Sequence, residues 1–94
     1  MKKLWRCKIC GDLHWGVSFS SPCPTCGFKN SYYEIKRIKN WHLFFKITGK
    51  KFWRCFVCND LHFGKHGPGL CPTCKTEEAY VQISDQEFKT ILNL

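Results

Sequence analysis

LWRCKICGDLHWG at residues 4–16 and FWRCFVCNDLHFG at residues 52–64 agree at eight of thirteen positions, and each is followed by CPTC, at 23–26 and 71–74. One cysteine pattern, C-x2-C-x12-C-x2-C, is thus written twice: Cys7, Cys10, Cys23 and Cys26, then Cys55, Cys58, Cys71 and Cys74, each displaced by 48 residues. Two thiolates two residues apart can grip one ion from a single tight turn, and two such turns complete the tetrahedron that thiophilic metals prefer. A disulfide framework is the competing reading of eight cysteines in a short chain, but random bridging has no reason to repeat identical spacings at a fixed period. The pattern predicts two four-thiolate metal sites, one per repeat.

Length points the same way. Ninety-four residues split by the repeat leave two units too small to bury much apolar surface, so each needs a staple, and the metal is that staple. The opening Met-Lys-Lys-Leu-Trp-Arg-Cys-Lys has the basic front of a signal peptide, yet Arg6, Lys8 and two metal-type cysteines stand where its apolar core should follow. No apolar run is long enough to cross a bilayer, and with the thiolate usage this predicts a soluble protein of a reducing cytoplasm.

Between the cysteine pairs, VSFSSP at 17–22 and KHGPGL at 65–70 share nothing at matched positions, as befits a surface loop. Each repeat reads as a short strand carrying Trp5 or Trp53 into the first pair, a loop, the second pair and an extended return. Tyr32, Tyr33 and Ile35, and likewise Tyr80, Val81 and Ile83, are placed to pair back along the entering strand, making a small sheet beside each metal. The units span 1–41 and 52–94, with a connection at 42–51. In KNWHLFFKITGKK (39–51), Leu43 to Ile47 could be a strand and residues 48–51 a turn. Trp41, Leu43, Phe44, Phe45 and Ile47 are too apolar for a free linker; burial against the units is expected, with a docking patch as the alternative. Ser84 and Glu87 form a capping box ahead of Phe88, Ile91 and Leu92, so a short helix begins at about 84 and packs its apolar stripe on the second unit.

His14 and His62 repeat at one place. Four cysteines already fill each tetrahedron, so these rings are expected to brace the first cysteine pair rather than to bind metal. His42 and His66 suggest no partner. Nucleophilic cysteine catalysis is not expected, because no thiol is left without a ligand role, and the chain reads as a protein that is not an enzyme.

The string W-R-C-x-x-C-G-x-L-H-x-G, followed by C-P-x-C-G, resembles the rubredoxin-like domain of rubrerythrins more than a generic zinc ribbon. Tyr33-Glu34-Ile35 and Asn40-Trp41 fill the places of that domain's closing aromatic-Glu-aliphatic and Asn-Trp motifs; Val81-Gln82-Ile83 is a weaker echo. The resemblance covers 4–41 and 52–83. It implies one iron ion per unit in four thiolates, passing single electrons, with backbone amides hydrogen-bonded to sulfur and tuning the potential. Gly11 and Gly27 suit the left-handed backbone that aims those amides; the second unit has Asn59, which tolerates it, and Lys75, which does so less readily. The helical di-iron domain of full rubrerythrins is lacking, since no glutamate here is followed three residues later by histidine.

The chain carries fifteen basic and seven acidic side chains, formally +8. Residues 1–47 hold nine basic and two acidic, or +7; residues 48–94 hold six and five, or +1. Lys2, Lys3, Arg6, Lys8, Lys29, Lys36, Arg37, Lys39 and Lys46, interleaved with Trp5, Trp15, Phe28, Tyr32 and Tyr33, could follow a nucleic-acid backbone and stack on bases. They could equally steer an acidic redox partner, or simply be solvated. The combined reading is a small metal-stabilised β-rich protein of two tandem rubredoxin-like (zinc-ribbon-like) knuckle modules with a short C-terminal helix. It would carry two Fe ions and relay single electrons between a reductase and an acceptor protein. The alternative is a double zinc ribbon with two structural Zn ions that binds nucleic acid or protein.

Overall fold

The computed structural model describes residues 2–19, 22–36 and 49–92. Six strands run β1 (Lys3–Cys7), β2 (Leu13–Gly16), β3 (Tyr32–Ile35), β4 (Lys51–Cys55), β5 (Leu61–Gly64) and β6 (Tyr80–Ile83), followed by helix α1 (Asp85–Ile91). As expected, β3 returns antiparallel along β1, with Tyr33 opposite Arg6 and Ile35 opposite Leu4. β6 repeats this on β4, with Val81 opposite Arg54. The architecture is that of two tandem rubredoxin-like knuckle modules with a short C-terminal helix.

The segments after Cys10 and Cys58 differ from the expected loop. Leu13–Gly16 and Leu61–Gly64 are strands, and they pair with each other, Leu13 opposite Phe63 and His14 opposite His62. Two small sheets thereby become one antiparallel sheet ordered β3-β1-β2-β5-β4-β6. The repeat is self-complementary: an antiparallel pairing of two copies of D-L-H-x-G places matching residues across a pseudo-two-fold axis at the histidines.

Side chains alternate across a pleated sheet, so this register sorts the chain chemically. Leu4, Trp15, Leu13, Leu61, Phe63 and Phe52 share one face and build the apolar core, capped by buried Phe88 of α1. Trp5, His14, His62 and Trp53 share the other. Ser84 caps α1 as expected, its hydroxyl accepting from the Glu87 amide at 3.1 Å, and Phe88 meets Phe52 edge-on at 4.8 Å between ring centroids.

Of the connection, residues 42–48, with the expected strand at 43–47, His42, Lys46 and the apolar Leu43, Phe44, Phe45 and Ile47, lie outside the described residues, as do Arg37, Lys39, Asn40 and Trp41. Gly49 has φ of +83°, which suits the expected turn, while Lys51 already opens β4. Among the described residues no helix is long and apolar enough to cross a membrane.

Candidate metal centres

The β1–β2 and β4–β5 turns carry the first cysteine pair of each unit, and the loops before β3 and β6 carry the second. Each set of four sulfurs converges with every pair within 4.8 Å. The closest pairs are Cys10–Cys23 at 3.5 Å and Cys7–Cys26 at 3.7 Å, and Cys58–Cys71 at 3.4 Å and Cys55–Cys74 at 3.6 Å. A disulfide needs sulfurs about 2.05 Å apart, whereas a tetrahedron with metal–sulfur bonds of about 2.3 Å has edges of about 3.8 Å. All eight cysteines are free of disulfides, and the sulfur spacing fits a four-coordinate metal in each cluster. Because β2 and β5 run antiparallel, the clusters sit at opposite ends of the central ladder.

The turns that aim the sulfurs are tight. The residue after the second cysteine of each pair donates its amide to the backbone carbonyl of the first: Gly11 to Cys7, Gly27 to Cys23, Asn59 to Cys55 and Lys75 to Cys71, at 2.8–3.0 Å. All four take positive φ, +82°, +77°, +67° and +63° in that order, which is the left-handed backbone the sequence asks of these positions. Lys75 lacks the amide side chain that eases Asn59 into this region. Replacing it with Gly is expected to stabilise the metal-loaded protein by roughly 0.5–1 kcal/mol, the relief of left-handed strain less the added freedom of the unfolded chain. Chemical denaturation checks this; a Lys75→Gly protein less stable than wild type contradicts it.

Donors converge on the sulfurs. The amides of Ile9 and Cys10 point at Cys7, those of Thr25 and Cys26 at Cys23, and those of Thr73 and Cys74 at Cys71. Two hydroxyls join them at each cluster, but not at equivalent places. In the first, Ser31 Oγ lies 3.2 Å from Cys7 Sγ and Tyr32 Oη 3.2 Å from Cys23 Sγ. In the second, Tyr80 donates to Cys71 at 3.5 Å, while Thr76 Oγ1 lies 3.3 Å from Cys74 Sγ. Ser31 corresponds to Ala79, and Thr76 to Phe28, so the two sites differ electrostatically although their ligands are identical. Burial pushes the Cys10, Cys23, Cys58 and Cys71 thiols up. Burial also acts upward on Cys7, yet the Ser31 hydroxyl and nearby amides bring it down to about 6; Thr76 does the same for Cys74, also to about 6. Cys7 and Cys74 ionise readily, whereas Cys10, Cys23, Cys58 and Cys71 need a cation to displace their protons.

His14 and His62 do not stay within their own units. They are fully buried side by side, Nδ1 to Nδ1 at 3.1 Å, and each reaches the other unit's aspartate: His14 Nε2 to Asp60 Oδ2 and His62 Nε2 to Asp12 Oδ2, both at 3.3 Å. Asp12 also accepts from Thr25 Oγ1 at 2.5 Å and from the Lys50 ammonium, and it lies 3.6 Å from Cys23 Sγ. Asp60 accepts from Thr73 Oγ1 at 2.5 Å and from Lys2 Nζ at 2.6 Å, and lies 3.7 Å from Cys71 Sγ. Lys2 also donates to the Cys58 carbonyl and lies 5.1 Å from the Trp15 ring centroid. A chain Lys50–Asp12–His62–His14–Asp60–Lys2 therefore runs through the middle of the molecule, and Phe19 covers both rings, at 4.7 and 5.9 Å.

The rings therefore do not brace the first cysteine pair as expected: each is tied to the opposite repeat's aspartate, whose carboxylate lies beside the second pair. Asp12, Asp60, Lys50, Thr25 and Thr73 carry no assignment on sequence grounds. Their signal is the period itself, since Lys2/Lys50, Asp12/Asp60 and Thr25/Thr73 all recur 48 residues apart. His66 is exposed.

Burial is the largest influence on both rings and lowers them, His14 to about 4, against the upward pull of the partner aspartates. Burial alone would raise Asp12 and Asp60, but the hydrogen bonds from histidine, lysine and threonine hold both well below the usual carboxylate range. Groups whose folded pKa lies below the unfolded value contribute stability that is complete above the unfolded value and lost as pH falls through the folded one. For the histidines that window opens at 6.5 and runs down through about 4. Protonation of thiolates, which competes with metal, acts in the same direction. The metal-loaded protein is expected to melt at progressively lower temperature as pH falls through this window; a flat profile there contradicts the assignment.

The fold and clusters define a class, the tandem four-cysteine knuckle proteins with two potential tetrahedral metal sites. Comparison with protein-family models, curated proteins and solved structures yields no match to this chain.

Proposed function

We propose that the protein is a one-electron carrier with one iron ion in each four-cysteine site, a rubredoxin-like relay between a reductase and an acceptor protein. The observation that carries this reading is the outward face of each cluster. Two of its four cysteines are buried and two are half-exposed, Cys10 and Cys26 in one and Cys58 and Cys74 in the other. Ile9 and Phe28 near the first cluster, and Phe56 and Val57 near the second, are more than half exposed. An apolar rim around an accessible sulfur lets a partner dock with little desolvation and shortens the path for an electron. Four thiolates, when they hold iron, supply a centre that changes oxidation state with little change in geometry, and the hydroxyl and amide donors adjust its potential. The resemblance of both repeats to the rubrerythrin-type domain points the same way.

The charge distribution fits an acidic partner. Four thiolates on Fe(III) contribute about −1 per site, leaving a net charge of about +6, and on Fe(II) about +4. Lys8, Lys29 and Lys36 are exposed in the first unit, and Phe28 and Tyr33 stand among them. That basic and aromatic surface is also what favours the second reading, a double zinc ribbon bound to nucleic acid. Three other members of the basic set are engaged internally: Lys2 on Asp60, Lys3 on Glu34 at 3.5 Å and Arg6 on the Tyr33 hydroxyl at 3.1 Å. Their engagement reduces the basic surface left for either reading.

Metal analysis and voltammetry of protein purified from its own host separate the two. The carrier reading expects iron and two reversible one-electron waves at different potentials, because the Ser31 and Thr76 hydroxyls stand beside non-equivalent sulfurs. Zinc in both sites, no reversible wave and salt-sensitive retention on DNA or RNA would overturn it.

A further inference from the structure

We propose that the two sites load metal cooperatively, because each site is completed by residues of the other unit. The argument holds for either metal and goes beyond the carrier reading. At the first cluster, Asp12 beside Cys23 is held by His62 and Lys50, and Thr25, one residue before Cys26, accepts the Lys65 amide at 3.1 Å. All three donors come from beyond the first unit: His62 and Lys65 from the second, and Lys50 from the end of the connection that leads into β4. At the second cluster, Asp60 beside Cys71 is held by His14 and Lys2, and Thr73 accepts the Val17 amide at 3.4 Å. All three belong to the first.

These crossed contacts have two states because each unit has two. β5, which bears His62, springs directly from the turn that holds Cys55 and Cys58, and Lys50 immediately precedes β4. With the second site unloaded, those strands lose the turn that joins them, and the apolar core described around them is itself divided: Leu4 and Leu13 come from one unit, and Leu61, Phe63 and Phe88 from the other. A half-loaded molecule would leave Asp12 buried without its histidine or its ammonium, and β2 without its ladder partner. An uncompensated buried carboxylate is costly, so the loaded half is weakened by the state of the unloaded one. Differential contacts of this kind constitute coupling between sites, and thermodynamic reciprocity requires each ion to favour the other by the same factor. The half-loaded molecule is then less populated than two independent sites would allow.

Native mass spectrometry of the full chain, titrated with Zn2+ against a competing chelator, measures this directly. Two single-site variants, Cys7→Ser/Cys10→Ser and Cys55→Ser/Cys58→Ser, supply the affinity of each site when the other unit is unloaded. The wild-type affinity for two ions is expected to exceed the product of the single-site affinities by about tenfold or more, within the usual range of coupling between sites. A single-site variant that takes up no Zn2+ sets a lower bound and supports the proposal. A product equal to the wild-type value overturns it, whatever the difference between the sites.

A second arm tests the route. Lys2→Met/Lys50→Met removes both crossed ammonium groups while leaving every cysteine in place. It is expected to reach two Zn2+ per chain at saturating metal with the excess factor reduced at least severalfold. An unreduced factor, or a variant in which the single-site affinities fall but their ratio to wild type does not, overturns the assignment to the crossed chain. Cd2+ in place of Zn2+, with one 113Cd resonance per site, adds a local reading: Lys2→Met alone is expected to shift the resonance of the Cys55–Cys74 site more than that of the Cys7–Cys26 site. The reverse order contradicts the crossing.

Discussion

Stripping the metal from both sites with a strong chelator is expected to unfold the whole chain. The main apolar cluster among the described residues contains five buried side chains, Leu4, Leu13, Leu61, Phe63 and Phe88, with half-buried neighbours around them. Divided between the two repeats, that cluster gives each unit two or three buried side chains, and units so small generally need a staple. The strands are four or five residues long, and the turns between them contain little besides cysteines and their amide bonds. Structural metal in such sites is worth about 10–16 kcal/mol, more than the net stability of most domains, so its removal leaves nothing to hold the turns. Circular dichroism and amide chemical shifts of the apo protein check this. Retained native-like shift dispersion in either unit contradicts it. Partial unfolding confined to one unit would contradict the crossed interface.

Adding one methyl group at Gly64 or Gly16 is expected to be the most damaging single substitution outside the cysteines. A Cβ on Gly16 would sit 2.5 Å from Asp60 Oδ2 and 2.8 Å from His14 Nε2, all of them without solvent exposure. At Gly64 it would strike Asp12 and His62 in the same way. Neither neighbour can yield, because each carboxylate is tied by a histidine, a lysine and a threonine. Forcing them apart breaks a buried ion pair and strands its charge, a loss of about 3–5 kcal/mol. Two controls bracket the effect. Gly69→Ala meets open space and is expected to change stability by less than about 0.5 kcal/mol. Gly27→Ala also meets open space but must adopt φ of +77°, so it should cost about 1–2 kcal/mol through the backbone alone. Melting of the four metal-loaded variants ranks them; Gly64→Ala falling with Gly69→Ala would refute the tight packing of Asp12.

The metal ligands were legible because cysteine spacing encodes geometry directly, and the period of 48 residues removed the disulfide alternative. The entering and returning strands were legible from β-favouring Trp, Tyr and Ile at fixed distance from the cysteines, and α1 from its capping box. The joining of the units was not. Leu13–Gly16 and Leu61–Gly64 are four-residue strands that end in glycine and carry a buried histidine, so neither propensity nor alternation marks them. Lys2 shows why charge alone misleads: it belongs to a basic run, yet its ammonium lies on buried Asp60, which is visible only once the β2–β5 register is known. The residues that bind the units together were nevertheless printed in the repeat, as identities at Asp12/Asp60, His14/His62 and Gly16/Gly64 that cysteine ligation by itself does not require.

The most direct test of the account is X-ray absorption at the metal edge, combined with metal and protein quantification, on the loaded full-length chain. Two ions per chain, each with four sulfur neighbours at about 2.3 Å and no nitrogen shell, are expected. One ion per chain, or a shell fitted by imidazole nitrogen, would contradict it, since His14 and His62 would then be ligands rather than the joint between the two sites.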